Sequence, residues 1–115
     1  MSYMLLIVEP PEQRRERTSD EGRRVYQRMV DYAETLKARG VLLEVNSLRS
    51  EAARVELRDG RSRIVDGPFA EAKEFVGGFF LLDCAEREQA LRYAAEGPAA
   101  EWATIEVREV GPCYE

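Results

Sequence analysis

At 115 residues the chain is expected to form one domain with a single core, burying roughly two-thirds of its unfolded surface. Charged residues at 34 % and hydrophobic residues at 44 % describe a folded globular protein. With 22 acidic against 17 basic residues and no basic block able to track a phosphate backbone, nucleic acid is not an expected partner. No stretch approaches the ~20 apolar residues of a membrane span, and the chain has no histidine, which removes Ser-His and Cys-His pairs, imidazole acid–base chemistry and histidine zinc sites together.

Residues 3–8 are an apolar run with neither a basic flank before it nor a small-residue cleavage site after it. They read as a first strand rather than a signal peptide, closed by Glu9, Pro10 and Pro11. Residues 10–18 are polar and arginine-rich and predict a loop. The cluster Arg14, Arg15, Arg17, Arg23 and Arg24, interrupted by Glu12, Asp20 and Glu21, reads as a solvated helix entrance. Thr18 and Glu21 have capping-box spacing, and Val25, Met29, Tyr32, Ala33 and Leu36 recur as one apolar stripe on a helix that stops at Gly40.

Residues 41–45 predict a second strand interrupted by Glu44, which either faces solvent on an edge or sits at the rim of a cavity. After a loop over 46–52, Val55 and Leu57 alternate with Arg54, Glu56 and Arg58. Asp59 and Gly60 supply a two-residue turn, and residues 61–65 return along a hairpin that sets Val55 opposite Ile64 and Glu56 opposite Arg63. The hairpin runs into Asp66-Gly67-Pro68-Phe69, a stiff turn because proline fixes its own φ and restricts the residue before it. Residues 70–75 carry good helix formers and predict one or two helical turns ended by Gly77.

Phe79, Phe80, Leu81 and Leu82 predict a strand apolar on both faces. Asp83 and Glu86 are spaced to cap the next helix, Ala90, Leu91, Ala94 and Ala95 are its inward stripe, and Gly97-Pro98 stops it. Trp102 falls in a short loop before a last strand in which Ile105 and Val107 alternate with Thr104, Glu106 and Arg108. This order predicts an α+β fold of the ferredoxin-like kind, an antiparallel sheet with two helices on one face. Because the strands at 4–8, 41–43 and 79–82 are apolar at consecutive positions, the uncovered face must also leave water. A homodimer packed sheet to sheet is the simplest arrangement that achieves this. Cys84 and Cys113 fit a reducing, cytoplasmic compartment better than a disulfide framework, with Cys84 as a small buried hydrophobe.

The string Asp66-Gly67-Pro68-Phe69, followed by Ala70-Glu71-Ala72-Lys73-Glu74 and then Gly77-Gly78-Phe79-Phe80-Leu81-Leu82-Asp83, resembles the signature of the DGPF-domain branch of the YCII-related family. Tyr3-Met4-Leu5-Leu6-Ile7 and Thr104-Ile105-Glu106-Val107-Arg108-Glu109-Val110 are similar to that family's first and last strands, so the resemblance spans nearly the whole chain. It implies a dimeric α+β barrel. Other branches of the family carry a histidine–aspartate pair suspected of catalysis, and some relatives are lyases acting on ring-cleavage products. This chain lacks the histidine, so that mechanism does not carry over. For the DGPF branch the resemblance implies an accessory or regulatory role beside extracytoplasmic-function sigma factors.

The ionisable residues of the signature stretch have two readings. In one, Asp66 braces the turn, Glu71 and Lys73 stabilise a short helix, and Glu74 is solvated. In the other, Asp66 and Glu71 line a cleft between sheet and hairpin with Lys73 as countercharge, Phe69 and Phe79 as apolar walls and Glu44 at the rim. A desolvated carboxylate there would move a proton next to a carbonyl while Lys73 stabilises the oxyanion. The expected function is binding of a small molecule or protein partner in a regulatory setting, without metal or cofactor. A cofactor-independent lyase or isomerase using Asp66 and Glu71 is the alternative.

Overall fold

The computed structural model describes residues 1–67, 69 and 72–114. Exposure alternates along β1 (Ser2–Glu9): Tyr3, Leu5, Ile7 and Glu9 are buried, whereas Met4, Leu6 and Val8 are half-buried. That period of two is the pleat of a strand with one face on a core. β1 is central, pairing antiparallel with β5 (Phe75–Asp83) on one side and β6 (Thr104–Glu109) on the other. β2 (Leu42–Ser47) closes the far edge, for the order β2-β5-β1-β6. With the hairpin insertion set aside, this is the strand order of a ferredoxin-like sheet.

α2 (Ser19–Ala38) and α3 (Arg87–Glu96) cover the face carrying Tyr3, Leu5 and Ile7. Leu36 of α2, Ala90 and Tyr93 of α3, and Ala99 of a 3-10 turn (Pro98–Glu101) close over Leu5, Phe80 and Leu82 in one cluster. Tyr32 stands edge-on to Phe80 with ring centres 6.0 Å apart, and its hydroxyl donates to the Tyr93 carbonyl at 2.7 Å. Burial pushes that phenol up to about 12, which keeps it a donor. The expected capping box is present: the Glu21 N–H donates to the Thr18 hydroxyl and the Thr18 N–H to the Glu21 carboxylate.

Some expected elements are corrected. Residues 12–16, expected as loop, form a single helical turn, α1 (Glu12–Glu16), started by Pro11. Residues 72–75 form no helix. The Ala72 N–H closes a turn on the Phe69 carbonyl at 3.0 Å, and β5 then starts at Phe75, so Gly77 and Gly78 lie inside a strand rather than ending a helix. The Asp83 side chain pairs with the N-terminal amine instead of capping α3, where the Gln89 side chain accepts from the Ala85 N–H. The buried face of α3 is Ala90, Tyr93 and half-buried Ala94, with Leu91 and Ala95 exposed, because Tyr93 takes the place against the sheet.

The sheet face away from the helices is ordered in rows. Leu81 and Met4 lie side by side between Glu44 and Arg108, and Phe79 and Leu6 lie side by side between Asn46 and Glu106. Val76 and Val8 follow, with Thr104 at the edge. The result is an apolar stripe two strands wide, bordered by polar residues on both edge strands. β3 (Ala53–Arg58) and β4 (Arg61–Asp66) form a separate two-stranded arm that, among the described residues, pairs only with itself, in the expected register. Asp59 and Gly60 turn it with φ of 51° and 72°, a type I′ turn. On its apolar face Val55, Leu57 and Ile64 are 67 %, 68 % and 65 % exposed. The molecule is flat, 47 × 42 × 18 Å, and its radius of gyration of 16.0 Å exceeds the roughly 13 Å of a compact chain this long, consistent with a projecting arm.

Cys84 is buried and Cys113 exposed. Burial pushes the Cys84 thiol up, and the Asp83 carboxylate adds to the effect. A thiol reagent at pH 8 is therefore expected to label Cys113 within minutes and Cys84 only after unfolding. Two equally fast thiols would contradict this placement.

Candidate functional site

The alternation along β1 drives a carboxylate under the helices: Glu9 follows Tyr3, Leu5 and Ile7 on the inward face, and its side chain is 4 % exposed. A buried charge requires a partner. Pro10 and Pro11 turn the chain back into α1, which presents Arg14 five residues on. Arg14 Nε donates to Glu9 Oε1, Nη1 to the Leu48 carbonyl at 2.6 Å, and Nη2 to the Gly77 carbonyl at 3.0 Å. Its guanidinium also lies 4.9 Å from the centre of the Phe75 ring, within cation–π range. One side chain thus ties α1 to β1, to the chain leaving β2 and to β5. Gly77 makes room for it, since a Cβ there would stand 2.6 Å from Arg14 Nη2 and 2.7 Å from the Glu9 carboxylate.

This pair borders a cavity of about 410 Å³ between the sheet and the N-terminal half of α2, within the size range of small-ligand sites. Ile7, Val25, Met29 and Trp102 supply apolar wall, and Arg17, Thr18 and Ser19 supply polar wall. Among the described residues Glu9 Oε2 accepts no hydrogen bond, and Glu9 lines the cavity, which leaves this oxygen as the carboxylate's free acceptor there. Trp102 is held by its own carbonyl, which accepts from Gln13 Nε2 at 2.7 Å. The guanidinium of Arg17 lies 5.8 Å from the Trp102 ring centre and that of Arg28 5.3 Å. The arrangement offers an acceptor, a cation and apolar walls to one small molecule. Among the described residues no group of three or more Cys, Asp or Glu side chains is placed to hold a metal ion, and no helix is long and apolar enough to cross a membrane.

The residues singled out in the sequence lie elsewhere. Asp66 ends β4 and is exposed, Lys73 is exposed in the bend before β5, and Glu71 lies outside the described residues. Glu44 takes the solvent-facing alternative: it is exposed on β2 and accepts from Asn46 Nδ2 at 3.2 Å. Phe69 is half-buried with the Arg54 guanidinium 3.8 Å from its ring centre, and lines a separate cavity of about 300 Å³ with Phe75 and Val76. Phe79 is half-buried and belongs to the open-face stripe. Among the described residues singled out, none lines the 410 Å³ cavity. Gly67 is needed for close packing, because a Cβ there would meet the Phe69 ring at 2.7 Å. Its N–H donates to the Ala52 carbonyl and closes the arm.

Sequence reasoning missed Glu9, Arg14, Arg17 and Trp102. A signal was present: Glu9 continues the odd-numbered series Tyr3, Leu5, Ile7, and a carboxylate in an inward register demands a cation from nearby. The arginine cluster supplied one. Arg15, Arg23 and Arg24 are solvated as expected, but Arg14 and Arg17 turn inward.

The comparison with known families bears on the whole of this architecture. The YCII-related domain matches residues 1–113. The chain belongs to the YCII-related family. The family's α+β character agrees with the antiparallel sheet and its helices. A segment of 45 residues is 44 % identical to an uncharacterised protein of Rhizobium meliloti (strain 1021), covering 39 % of this chain and 36 % of that relative. The matched segment thus spans little more than a third of the relative's length.

Proposed function

We propose that this YCII-related protein binds a small molecule in the cavity beside Glu9 and acts as a sheet-to-sheet homodimer. Its setting is accessory or regulatory, of the kind implied by the resemblance to the DGPF branch and its sigma-factor association. The observation that carries the binding reading is the buried carboxylate: one oxygen is fixed by Arg14 and the other has no described donor, on a side chain that lines a 410 Å³ cavity together with Arg17. Such an acceptor in an apolar-walled pocket is satisfied by a ligand's donor. A metabolite panel followed by thermal shift tests it. A ligand at about 100 times its Kd adds roughly 2.7 kcal/mol of stability, and Arg17→Met should remove that gain.

Proton-transfer catalysis through Asp66 and Glu71 has less support, since Asp66 and Lys73 are exposed. Asp66→Asn is expected to leave the melting temperature within about 2 °C, as surface changes do, and to leave ligand binding unchanged. Loss of binding in that variant would move the site to the signature loop.

Two apolar surfaces support the dimer: the stripe through Leu6 and Phe79, and the exposed face of the arm. Contiguous apolar surface rimmed by polar residues is the anatomy of an interface. Light scattering on a sizing column is expected to return twice the 13.1 kDa chain mass, and Leu6→Glu is expected to halve it with the secondary structure intact. A wild-type chain that stays monomeric at about 100 µM, well above the dissociation constant of a stable interface, would end the dimer proposal.

A further inference from the structure

We infer that the cavity takes a small organic acid that carries, besides its carboxylate, a hydroxyl or ammonium hydrogen-bond donor. This rests on the small-molecule reading and narrows it to a chemical class. Of the three charged side chains that line the cavity, Glu9, Arg14 and Arg17, two are cations, so the lining carries one positive charge in excess. Glu9 is matched by Arg14. At the start of α2, Asp20 pairs with Arg23 at 2.8 Å and the Glu21 carboxylate accepts from the Thr18 N–H. Near Trp102, Arg28 pairs with Glu101. Arg17 is left: its one hydrogen bond among the described residues runs to the neutral Gln13 Oε1 at 3.3 Å, and no described carboxylate pairs with it.

A guanidinium held against an aromatic ring and facing a partly apolar cavity matches a carboxylate in charge and in fork geometry. The other polar feature is Glu9 Oε2, which only accepts and so calls for a donor. Ile7, Val25 and Met29 line the same cavity and suit an apolar body. A ligand meeting all three has a carboxylate on Arg17, an O–H or N–H on Glu9 and a hydrocarbon side chain beside them, the pattern of a 2-hydroxy or 2-amino acid. A dianion would meet the Glu9 carboxylate unfavourably, and a neutral amide would leave Arg17 unpaired.

The test uses the full-length wild-type protein and matched probes on three skeletons, aromatic, branched aliphatic and short: 3-phenyllactate, 2-hydroxyisocaproate and lactate. Each is compared with its 2-amino counterpart, its donorless acid and its neutral hydroxy-amide by calorimetry at up to 10 mM. A hydroxy or amino acid is expected to bind at least ten-fold tighter than both its donorless acid and its amide, and Arg17→Met is expected to abolish the preference for acid over amide while leaving the fold intact. Equal binding of acid and amide, or an unchanged preference in Arg17→Met, overturns the assignment. If no acid binds but the broader metabolite panel yields a neutral or cationic ligand, the class is wrong and the small-molecule reading survives. If nothing on either panel binds, both fall.

Discussion

Arg14→Met is expected to lower the stability of the protein by about 3 kcal/mol, a drop of roughly 12 °C in melting temperature for a domain of this size. Removing one partner of a buried ion pair costs about 3–5 kcal/mol because the other charge stays in place without compensation. Arg14 is itself 31 % exposed, which places the expectation at the low end, since water partly screens the pair. Methionine retains the apolar stem against Phe75, so the loss reports the guanidinium rather than packing. Arg14→Lys should fall between the two: an ammonium can meet Glu9, but a point charge cannot also span to the Leu48 and Gly77 carbonyls. Arg15→Met is the control. It alters the exposed neighbour on α1 and should stay within about 0.5 kcal/mol of wild type. Thermal and urea denaturation of the four proteins decide the matter, and equal stability of the Arg14 and Arg15 variants would show that Glu9 needs no cation.

The parts of this molecule that were legible in its sequence are those governed by local rules. The capping box at Thr18 and Glu21, the Asp59–Gly60 turn with its register, and the stop at Gly97-Pro98 each follow from side chains acting on backbone within a few residues. The α+β class with an antiparallel sheet followed as well, because the alternation of elements leaves few antiparallel sheets to build. What escaped was long-range satisfaction. Residues 72–75 have helical propensity, but at Phe75 the chain is already paired with Glu9, and sheet pairing outweighs a preference worth a few tenths of a kcal/mol per residue. The arginine cluster looked solvated because its charges alternate in sequence, whereas the partner of Arg14 lies across a double proline on the preceding strand. The signature stretch drew attention to its carboxylates, yet its contribution to the site is a missing side chain, at Gly77.

That glycine separates two explanations for the paired Gly77-Gly78. Alanine at either position is expected to destabilise the protein by about 1–3 kcal/mol, the usual cost of overpacking a buried site, but through different neighbours. A Cβ on Gly78 would stand 2.9 Å from the Asn46 carbonyl, so Gly78→Ala must push β2 away from β5 and weaken a backbone ladder. A Cβ on Gly77 would instead stand 2.7 Å from Glu9 Oε2 and 2.6 Å from Arg14 Nη2, displacing the pair while the strands remain. The two therefore differ in their coupling to Arg14. In a double-mutant cycle, Gly77→Ala and Arg14→Met should be strongly non-additive, with an interaction of about 1–2 kcal/mol because the second change removes what the first has already broken. Gly78→Ala and Arg14→Met should add to within about 0.5 kcal/mol. Ligand binding follows the same division: Gly77→Ala should weaken it at least ten-fold by turning Glu9 out of position, and Gly78→Ala should alter it little once the variant is folded. Additive behaviour at Gly77 would mean that the ion pair re-forms around the methyl group, and the glycine would then serve the strand alone.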